Sequence, residues 1–443
     1  MAKGVVVLGG GVAGESFVAA LRRHDPDVPL TLVERELVGG ECSYWACIPS
    51  KTLLRPLEIL FHARVAPGAK EALDGADIAQ IFWWRDQVAG QDDTSQAEWV
   101  TSRGVELVRG DGTVTEPGVV RVGDRNLEHD ALVVTTGSVP LAPQIAGLDK
   151  LDYWGSREAT TASEVPKEIA VVGGGAVGCE LAQFYGRLGS HVTLVQSGEH
   201  LLPRVEREAG DVLADVLREE GVDVRLSART SSVERGGSGF RLEIEDQDPV
   251  QASNLLIATG RKPRVEGFGF EELDLTIGKT GIEVDERLQA GDGVWAAGDV
   301  TGVALFTHVG KYQARVAAAN VAGQDARADY RAIPAVIFTD PQVASVGDVS
   351  GEGAAVSSFP ITSTSRSATY SRPKRPGFVK LFADRDRGVL TGAVAVGPEA
   401  GEWLGQLTLA VRAEVPVDVL RDTIQPFPTF SEAIFFAARD LDL

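Results

Sequence analysis

Gly4-Val5-Val6-Val7-Leu8-Gly9-Gly10-Gly11-Val12-Ala13-Gly14 stands near the start of the chain, and its reading decides the fold. The short apolar, β-branched run reads as a buried strand. Gly9, Gly11 and Gly14 follow at once in GxGxxG spacing, and a helical pattern then continues through Leu21. The next apolar run closes on Glu34. Strand, glycine turn, helix, strand and acid together make a unit suited to a dinucleotide. The glycines let the backbone turn tightly and approach a pyrophosphate at the helix N-terminus, and Glu34 stands where a carboxylate accepts from ribose hydroxyls.

The same order returns further on. A strand over 169–172 leads into Gly173-Gly174-Gly175-Ala176-Val177-Gly178, then a helix over 180–188 and a strand over 191–195. An internal repeat of this kind means two dinucleotides, or one bound twice, and Gly173, Gly175 and Gly178 take the places of the first three glycines. At the end of its second strand this unit offers Gln196 and Ser197, with Glu199 and Arg204 further on. An acid there suits the ribose of NAD and an arginine the phosphate of NADP. Neither is present, so the choice between NADH and NADPH stays open. Ala131-Leu132-Val133-Val134-Thr135-Thr136-Gly137-Ser138 and Ala258-Thr259-Gly260-Arg261-Lys262-Pro263 are each read as a strand or strand end running into a glycine turn, at Gly137 and Gly260.

Between the units lies Gly39-Gly40-Glu41-Cys42-Ser43-Tyr44-Trp45-Ala46-Cys47-Ile48-Pro49-Ser50-Lys51, with two of the three cysteines in the protein. Five steps of regular helix rise roughly 7.5 Å, outside the spacing a disulfide tolerates. A bond between Cys42 and Cys47 therefore needs an irregular turn, which Gly39, Gly40 and Pro49 permit. If helix resumes at Cys47, Lys51 falls on the same face, where a cation favours thiolate over thiol. Taken alone, the pair reads equally well as two buried structural cysteines. Cys179, at the start of the second unit's helix, is read as packing.

After such a nucleotide unit, the stretch from Gly39 to Lys51 resembles the redox segment of the flavoprotein disulfide reductases, the family of glutathione, mycothione and mercuric reductases and dihydrolipoamide dehydrogenase. The resemblance covers essentially the whole chain. It implies an α/β protein with two Rossmann-like domains, FAD in the first and NADH or NADPH in the second, and a C-terminal α+β dimerisation domain. The implied boundaries are 1–150 and 266–330 for the two parts of the FAD domain, 151–265 for the nicotinamide domain and 331–443 for the interface domain. Gly293-Val294-Trp295-Ala296-Ala297-Gly298-Asp299 resembles the second FAD fingerprint, in which Gly298 admits the flavin chain and Asp299 binds a ribityl hydroxyl. By the same resemblance Cys47 is the thiolate beside the flavin, Cys42 the interchange thiol, and Lys51 with Glu180 an ion pair near the flavin. His308 resembles a position close to the flavin and is given no role.

The match breaks near the end. The family's segment is His-Pro-Thr with a glutamate three residues later, and here it is Phe427-Pro428-Thr429-Phe430-Ser431-Glu432. Glu432 is kept, but phenylalanine neither donates nor accepts the proton that the histidine moves in thiol–disulfide exchange. Gln425 offers a hydrogen bond and no proton. Mercuric reductases share the missing histidine but carry a C-terminal cysteine pair, and nothing after Cys179 is a cysteine. The leading expectation is an FAD-dependent NAD(P)H oxidoreductase, active as a homodimer whose site is shared across the interface. It passes electrons through Cys42 and Cys47 to a small disulfide or another small-molecule acceptor. A second reading lets reduced flavin serve quinones directly, in a pocket lined by Tyr44, Trp45 and Phe427. A third is a redox sensor without turnover.

Composition sets the outer limits. At 443 residues the chain exceeds one ordinary core, and 50 glycines suit an α/β protein with many tight turns. A net charge of −20 argues against nucleic acid or an anionic membrane as partner. With no apolar stretch of spanning length and no leader pattern, the protein is expected to be cytoplasmic, where three cysteines point to a catalytic pair before a structural framework. No metal site is expected. Residues 52–103 read as helical, with Trp83 and Trp84 as packing residues.

Overall fold

The structure, a computed structural model, describes residues 4–66, 68–69, 75–237, 239–371 and 374–443. The helices that bear on function are α1 (Val12–His24), α2 (Gly40–Tyr44), α3 (Cys47–Val65), α4 (Ala176–Arg187), α5 (Thr307–Val321) and α6 (Glu432–Arg439). Two compact units divide the chain. The first comprises Met1–Pro49, Arg85–Leu141 and Gly260–Asp329, the second Ser50–Trp84, Ala142–Thr259 and Tyr330–Leu443.

In the first unit, Val5–Leu8 pairs in parallel with Leu30–Glu34 on one side and Ala131–Val134 on the other, inside a six-stranded sheet. A strand buried on both faces needs apolar side chains at every position, which is why the run does not alternate with polar residues. Val5 and Val7 face a cluster with Phe17, Val18 and Leu21 of α1 and Ala314, Ala317 and Ala318 of α5. Val6 and Leu8 face the other way, with Val33, Val114 and Val120. α1 lies close to its strand because Gly14 has no side chain: a Cβ there would sit 2.2 Å from the carbonyl oxygen of Gly9.

The second unit repeats this design and adds another. Glu168–Val172 lies between His191–Val195 and Asn254–Ile257 in a four-stranded parallel sheet. The counterpart of Gly14 is Gly178, where a Cβ would meet the oxygen of Gly173 at 1.9 Å. The C-terminal part is a five-stranded antiparallel sheet in the order Pro334–Ile337, Gln342–Gly347, Val389–Gly397, Phe378–Asp384, Ala355–Pro360, with α6 packed on it through Ala433, Ile434, Ala437 and Ala438. Two Rossmann-like sheets and a C-terminal α+β portion are thus the architecture expected from the repeat and the resemblance.

A buried charge cluster ties elements of this second unit together. Asp340 Oδ2 lies 2.9 Å from Arg187 and 3.3 Å from His62, its Oδ1 lies 3.2 Å from Arg375, and Arg187 also grips Glu220 at 2.7 Å. The Arg187 and Arg375 guanidiniums stack on the Phe61 ring at 4.4 and 4.5 Å. Burial alone would push the Asp340 carboxyl up, but the His62 hydrogen bond and the two arginines hold it far below the usual carboxylate range.

Helix does not fill 52–103 continuously. It begins earlier, at Cys47, and is followed by Ile78–Ala89 and Thr94–Thr101. Trp83 and Trp84 are 55% and 40% exposed, against the expectation that they pack. Ile81, Phe82 and Arg85 turn inward instead, and the tryptophans take the outer side of that helix. Among the described residues no helix is long and apolar enough to cross a membrane.

Candidate active site

The redox stretch is built on a broken helix. α2 ends at Tyr44 and α3 begins at Cys47, so the regular rise that would hold the sulfurs apart is interrupted at Trp45 and Ala46, whose N–H groups both donate to the Glu41 carbonyl, at 2.9 and 2.8 Å. Pro49, at the third position of α3, forfeits an N–H that the first turn of a helix leaves unpaired anyway. Both cysteines are half-buried, and no disulfide joins them. One hydroxyl joins them: Thr307 at the head of α5 donates to Cys42 Sγ at 3.1 Å and lies 3.4 Å from Cys47 Sγ. The Cys42 thiol is pushed far up by its hydrogen bond with Cys47, by burial and by the charge of Cys47, against a smaller pull from Thr307 and Lys311.

Lys51, one turn into α3, donates to Glu180 at 2.7 Å. Glu180 is buried on α4, and its second oxygen accepts from the Phe338 N–H at 2.9 Å. The Lys51 ammonium also lies 4.8 Å from the centre of the Phe338 ring. The pair expected from two separate motifs is thus in direct contact within the second unit. Cys179 beside it is fully buried, donating to the Gly174 carbonyl at 3.4 Å, so it packs as expected.

The two glycine loops are built alike. A Cβ at Gly11 or Gly175 would meet nothing within 4 Å, which leaves open space over the N-termini of α1 and α4, and neither helix has a side-chain cap there. Gly9 and Gly173 take left-handed angles of +114° and +113°. Glu34 accepts from the Gly10 N–H at 2.6 Å and from Glu36 at 2.7 Å, and Gln196 accepts from the Gly174 N–H at 2.9 Å. An uncapped N-terminus under open space fits a pyrophosphate, and the Glu34 oxygens, fixed at the strand end, keep lone pairs for a ribose.

The glycine turns meet in a short antiparallel pairing of Ser138–Pro140 with Arg261–Pro263, closed by bonds from Leu141 to Gly260 and from Arg264 to Gly137. Gly298 donates to the buried Gln313 at 2.7 Å. Asp299 accepts from Ser138 at 2.6 Å, and Arg261 donates to the same serine hydroxyl at 2.8 Å. Burial raises the Asp299 carboxyl, opposed by Ser138 and Arg261. These residues fit a polar, partly charged flavin chain.

The C-terminal residues lie in their own segment of the single chain, and the two aromatics differ from what was expected of them. Phe427 is 73% exposed. Glu432 opens α6 and accepts from the Thr429 N–H at 3.4 Å, bracing its own turn. The Gln425 amide nitrogen is buried without a partner among the described residues. Tyr44 and Trp45, expected beside an acceptor, are instead buried: the Tyr44 hydroxyl donates to the Val38 carbonyl at 3.0 Å and the two rings meet edge to face. The end of α2 turns them inward. His308 stacks on Phe306 with ring centres 5.2 Å apart. Among the described residues, no group of three or more His, Cys, Asp or Glu is placed to hold a metal ion.

Thr307 was missed by sequence reasoning, although it adjoins His308. A threonine heading a helix is so common that only its contact with both sulfurs singles it out.

Comparison with known proteins agrees with this geometry. Residues 3–326 match the pyridine nucleotide-disulphide oxidoreductase family, and residues 333–438 match that family's dimerisation domain. A dihydrolipoyl dehydrogenase of Haloarcula marismortui is 33% identical over 98% of this chain and 95% of its own. A mercuric reductase of Staphylococcus aureus is 30% identical over 99% of this chain and 82% of its own. The crystal structure of LpdA from Mycobacterium tuberculosis superposes with a TM-score of 0.87 at 29% identity, covering 98% of both chains. The HOCl-induced flavoprotein disulfide reductase RclA from Escherichia coli shares the fold, with a TM-score of 0.87 at 23% identity over 99% of this chain and 100% of its own. With its sulfurs held by one hydroxyl, its paired glycine loops and its dimerisation domain, the chain belongs to the pyridine nucleotide-disulphide oxidoreductases, enzymes that use FAD and NAD(P)H.

Proposed function

We propose that the protein is a homodimeric NAD(P)H-dependent reductase that delivers electrons through Cys42 and Cys47 to a small disulfide. The observation that carries this reading is the Thr307 hydroxyl within reach of both sulfurs, 3.1 Å from Cys42 and 3.4 Å from Cys47. A shared donor favours thiolate on whichever sulfur is charged, so negative charge can pass between them without a new partner. Bound FAD supplies the route by which electrons from NAD(P)H reach the disulfide. Glu34, Asp299 and the open loop at Gly11 would hold it, and Gly173, Gly175, Gly178 and Gln196 would hold the nicotinamide coenzyme.

Within the chain, Lys51 keeps a positive charge fixed by Glu180 at 2.7 Å. Cys47 retains the thiolate and Cys42 is the sulfur that meets the acceptor. Phe427 provides no proton, which narrows acceptors to those whose leaving sulfur is already a stable thiolate.

An anaerobic titration with NADPH, and separately NADH, tests the thiol route. A long-wavelength thiolate-to-flavin band after the first equivalent, with the yellow colour kept, is expected. Bleaching at the first equivalent without that band sinks the thiol route. One observation favours a second reading, direct reduction of quinones: the only aromatic of the three expected at the acceptor site that is exposed is Phe427, an apolar platform without a proton donor. Quinone turnover unaffected by Cys42→Ser would support that reading.

A further inference from the structure

A lysine side chain is a flexible stem with a charge at its tip, so an ammonium that acts at one place has to be held there. Lys51 has three N–H donors. It gives to Glu180 Oε2 at 2.7 Å and to the Ser50 hydroxyl at 3.3 Å, and the centre of the Phe338 ring lies 4.8 Å away, within the range of a cation over an aromatic face. Phe338 reaches the other member of the pair as well, because its N–H donates to Glu180 Oε1 at 2.9 Å. One residue thus holds both charges, the anion by its backbone and the cation by its ring.

The loop that bears Phe338 joins strands Pro334–Ile337 and Gln342–Gly347 and is splinted along α4. Glu180, Gln183 and Arg187 fall on one face of that helix. Glu180 takes the Phe338 N–H, Gln183 exchanges two hydrogen bonds with the Asp340 backbone at 2.7 and 2.8 Å, and Arg187 grips the Asp340 carboxylate at 2.9 Å. α3, which carries Lys51, meets the same loop again at His62, 3.3 Å from Asp340. A segment held at so many points leaves Phe338 little room to shift. Its ring is nonetheless 40% exposed. Core packing does not account for an aromatic there, whereas an ammonium against its face does.

We propose that Phe338 is the positioning residue of the Lys51–Glu180 pair, fixing where the Lys51 ammonium stands when coenzyme electrons arrive. The proposal rests on the reading in which NAD(P)H electrons pass through bound FAD, near that pair, to Cys42 and Cys47. A charge fixed in advance stabilises incoming negative charge without having to reorganise. Leucine at 338 separates the two grips, since it keeps the N–H and most of the bulk and removes the aromatic face.

The test uses the FAD-loaded protein and two readouts. Acylation of Lys51 by an N-hydroxysuccinimide ester is followed by mass spectrometry, with exposed Lys279 as the internal reference. Flavin reduction by NADPH, and separately by NADH, is followed in anaerobic stopped flow. Phe338→Leu is expected to speed Lys51 acylation and to slow flavin reduction, each by about three- to tenfold, with coenzyme affinity within about twofold of the wild type. Phe338→Tyr keeps the aromatic face and is expected to restore both rates to within about twofold. In a Lys51→Met background, Phe338→Leu is expected to change flavin reduction by less than about twofold, because residues that act as one unit are not additive. Unchanged acylation or unchanged reduction in Phe338→Leu, a tyrosine variant as impaired as the leucine one, or a full further slowing in the Lys51→Met background each overturns the proposal while the long-wavelength band of the wild type still upholds the thiol route. A wild type without that band overturns both.

Discussion

Thr307 and Phe427 are single residues whose chemistry can be isolated. Thr307→Val keeps the shape at the head of α5 and removes the donor shared by the sulfurs. A hydrogen bond to a charged group contributes about 1.5–3 kcal/mol, so the band of the reduced protein should weaken and Cys42 labelling should slow by roughly tenfold or more. Phe427→His reverses the substitution that breaks the family pattern. Its exposed ring leaves room for an imidazole, and general acid catalysis supplies on the order of 10²–10⁴ in rate. Turnover of a small disulfide should rise, with a new inflection near the ordinary histidine value of about 6.5; a flat pH profile and unchanged rate would show that residue 427 does not reach the acceptor. Legibility at this scale is uneven. Residues with a fixed motif position, such as Lys51 and Glu180, are found in contact as expected, because helix periodicity and the second glycine loop leave little choice. Tyr44 and Trp45 are not where they were expected, because nothing in a five-residue helix states which way its aromatics turn.

Elements show the repeat most clearly. α1 and α4 each rest on their strand through one glycine, and Gly178→Ala would drive a methyl against a backbone oxygen 1.9 Å away. Loss of coenzyme binding by at least tenfold with FAD retained is the expected result, read by fluorescence titration of the yellow protein. Asp340 links α3, α4 and the C-terminal sheet through His62, Arg187 and Arg375. Its carboxyl is depressed, so the stability it contributes is present above the unfolded value of about 3.9 and is lost as pH falls through the lower folded value. Asp340→Asn leaves two arginines without their central partner. It should cost about 3–5 kcal/mol near neutral pH, measured by chemical denaturation, and should flatten the acid limb of the melting profile. The parallel strands were readable because a strand buried on both faces must be apolar throughout. The charge cluster was not, because its members lie far apart in sequence and each alone reads as a surface charge.

For the whole molecule, the consequence of the dimerisation domain is that the acceptor site need not be complete in one chain. Ile424 and Phe427 are 95% and 73% exposed on the C-terminal segment, three residues apart. Large apolar side chains bared in this way are a mark of an interface. Ile424→Glu should give a monomer in analytical ultracentrifugation that retains FAD and reduces an artificial dye, yet loses at least tenfold in disulfide turnover. A monomer with full disulfide activity would place the whole site in one chain. The duplicated architecture could be read from two glycine fingerprints and their flanking strands, whereas the way the chain is shared between two compact units could not. That division depends on which surfaces meet, and contact between distant segments leaves no periodic trace in sequence.

Gly39 donates to the Gly10 carbonyl at 2.8 Å, and a Cβ on Gly40 would lie 2.9 Å from Gly11 Cα, so the turn that bears Cys42 leans directly on the glycine loop proposed to hold FAD. Cofactor loading and thiol alignment thus share one strut. Stripping the flavin should do more than remove colour: it should let the cysteine turn drift, so that accidental oxidation and scrambling by outside thiols become the hazards of the empty protein, and storage without FAD spoils it first at its own redox centre.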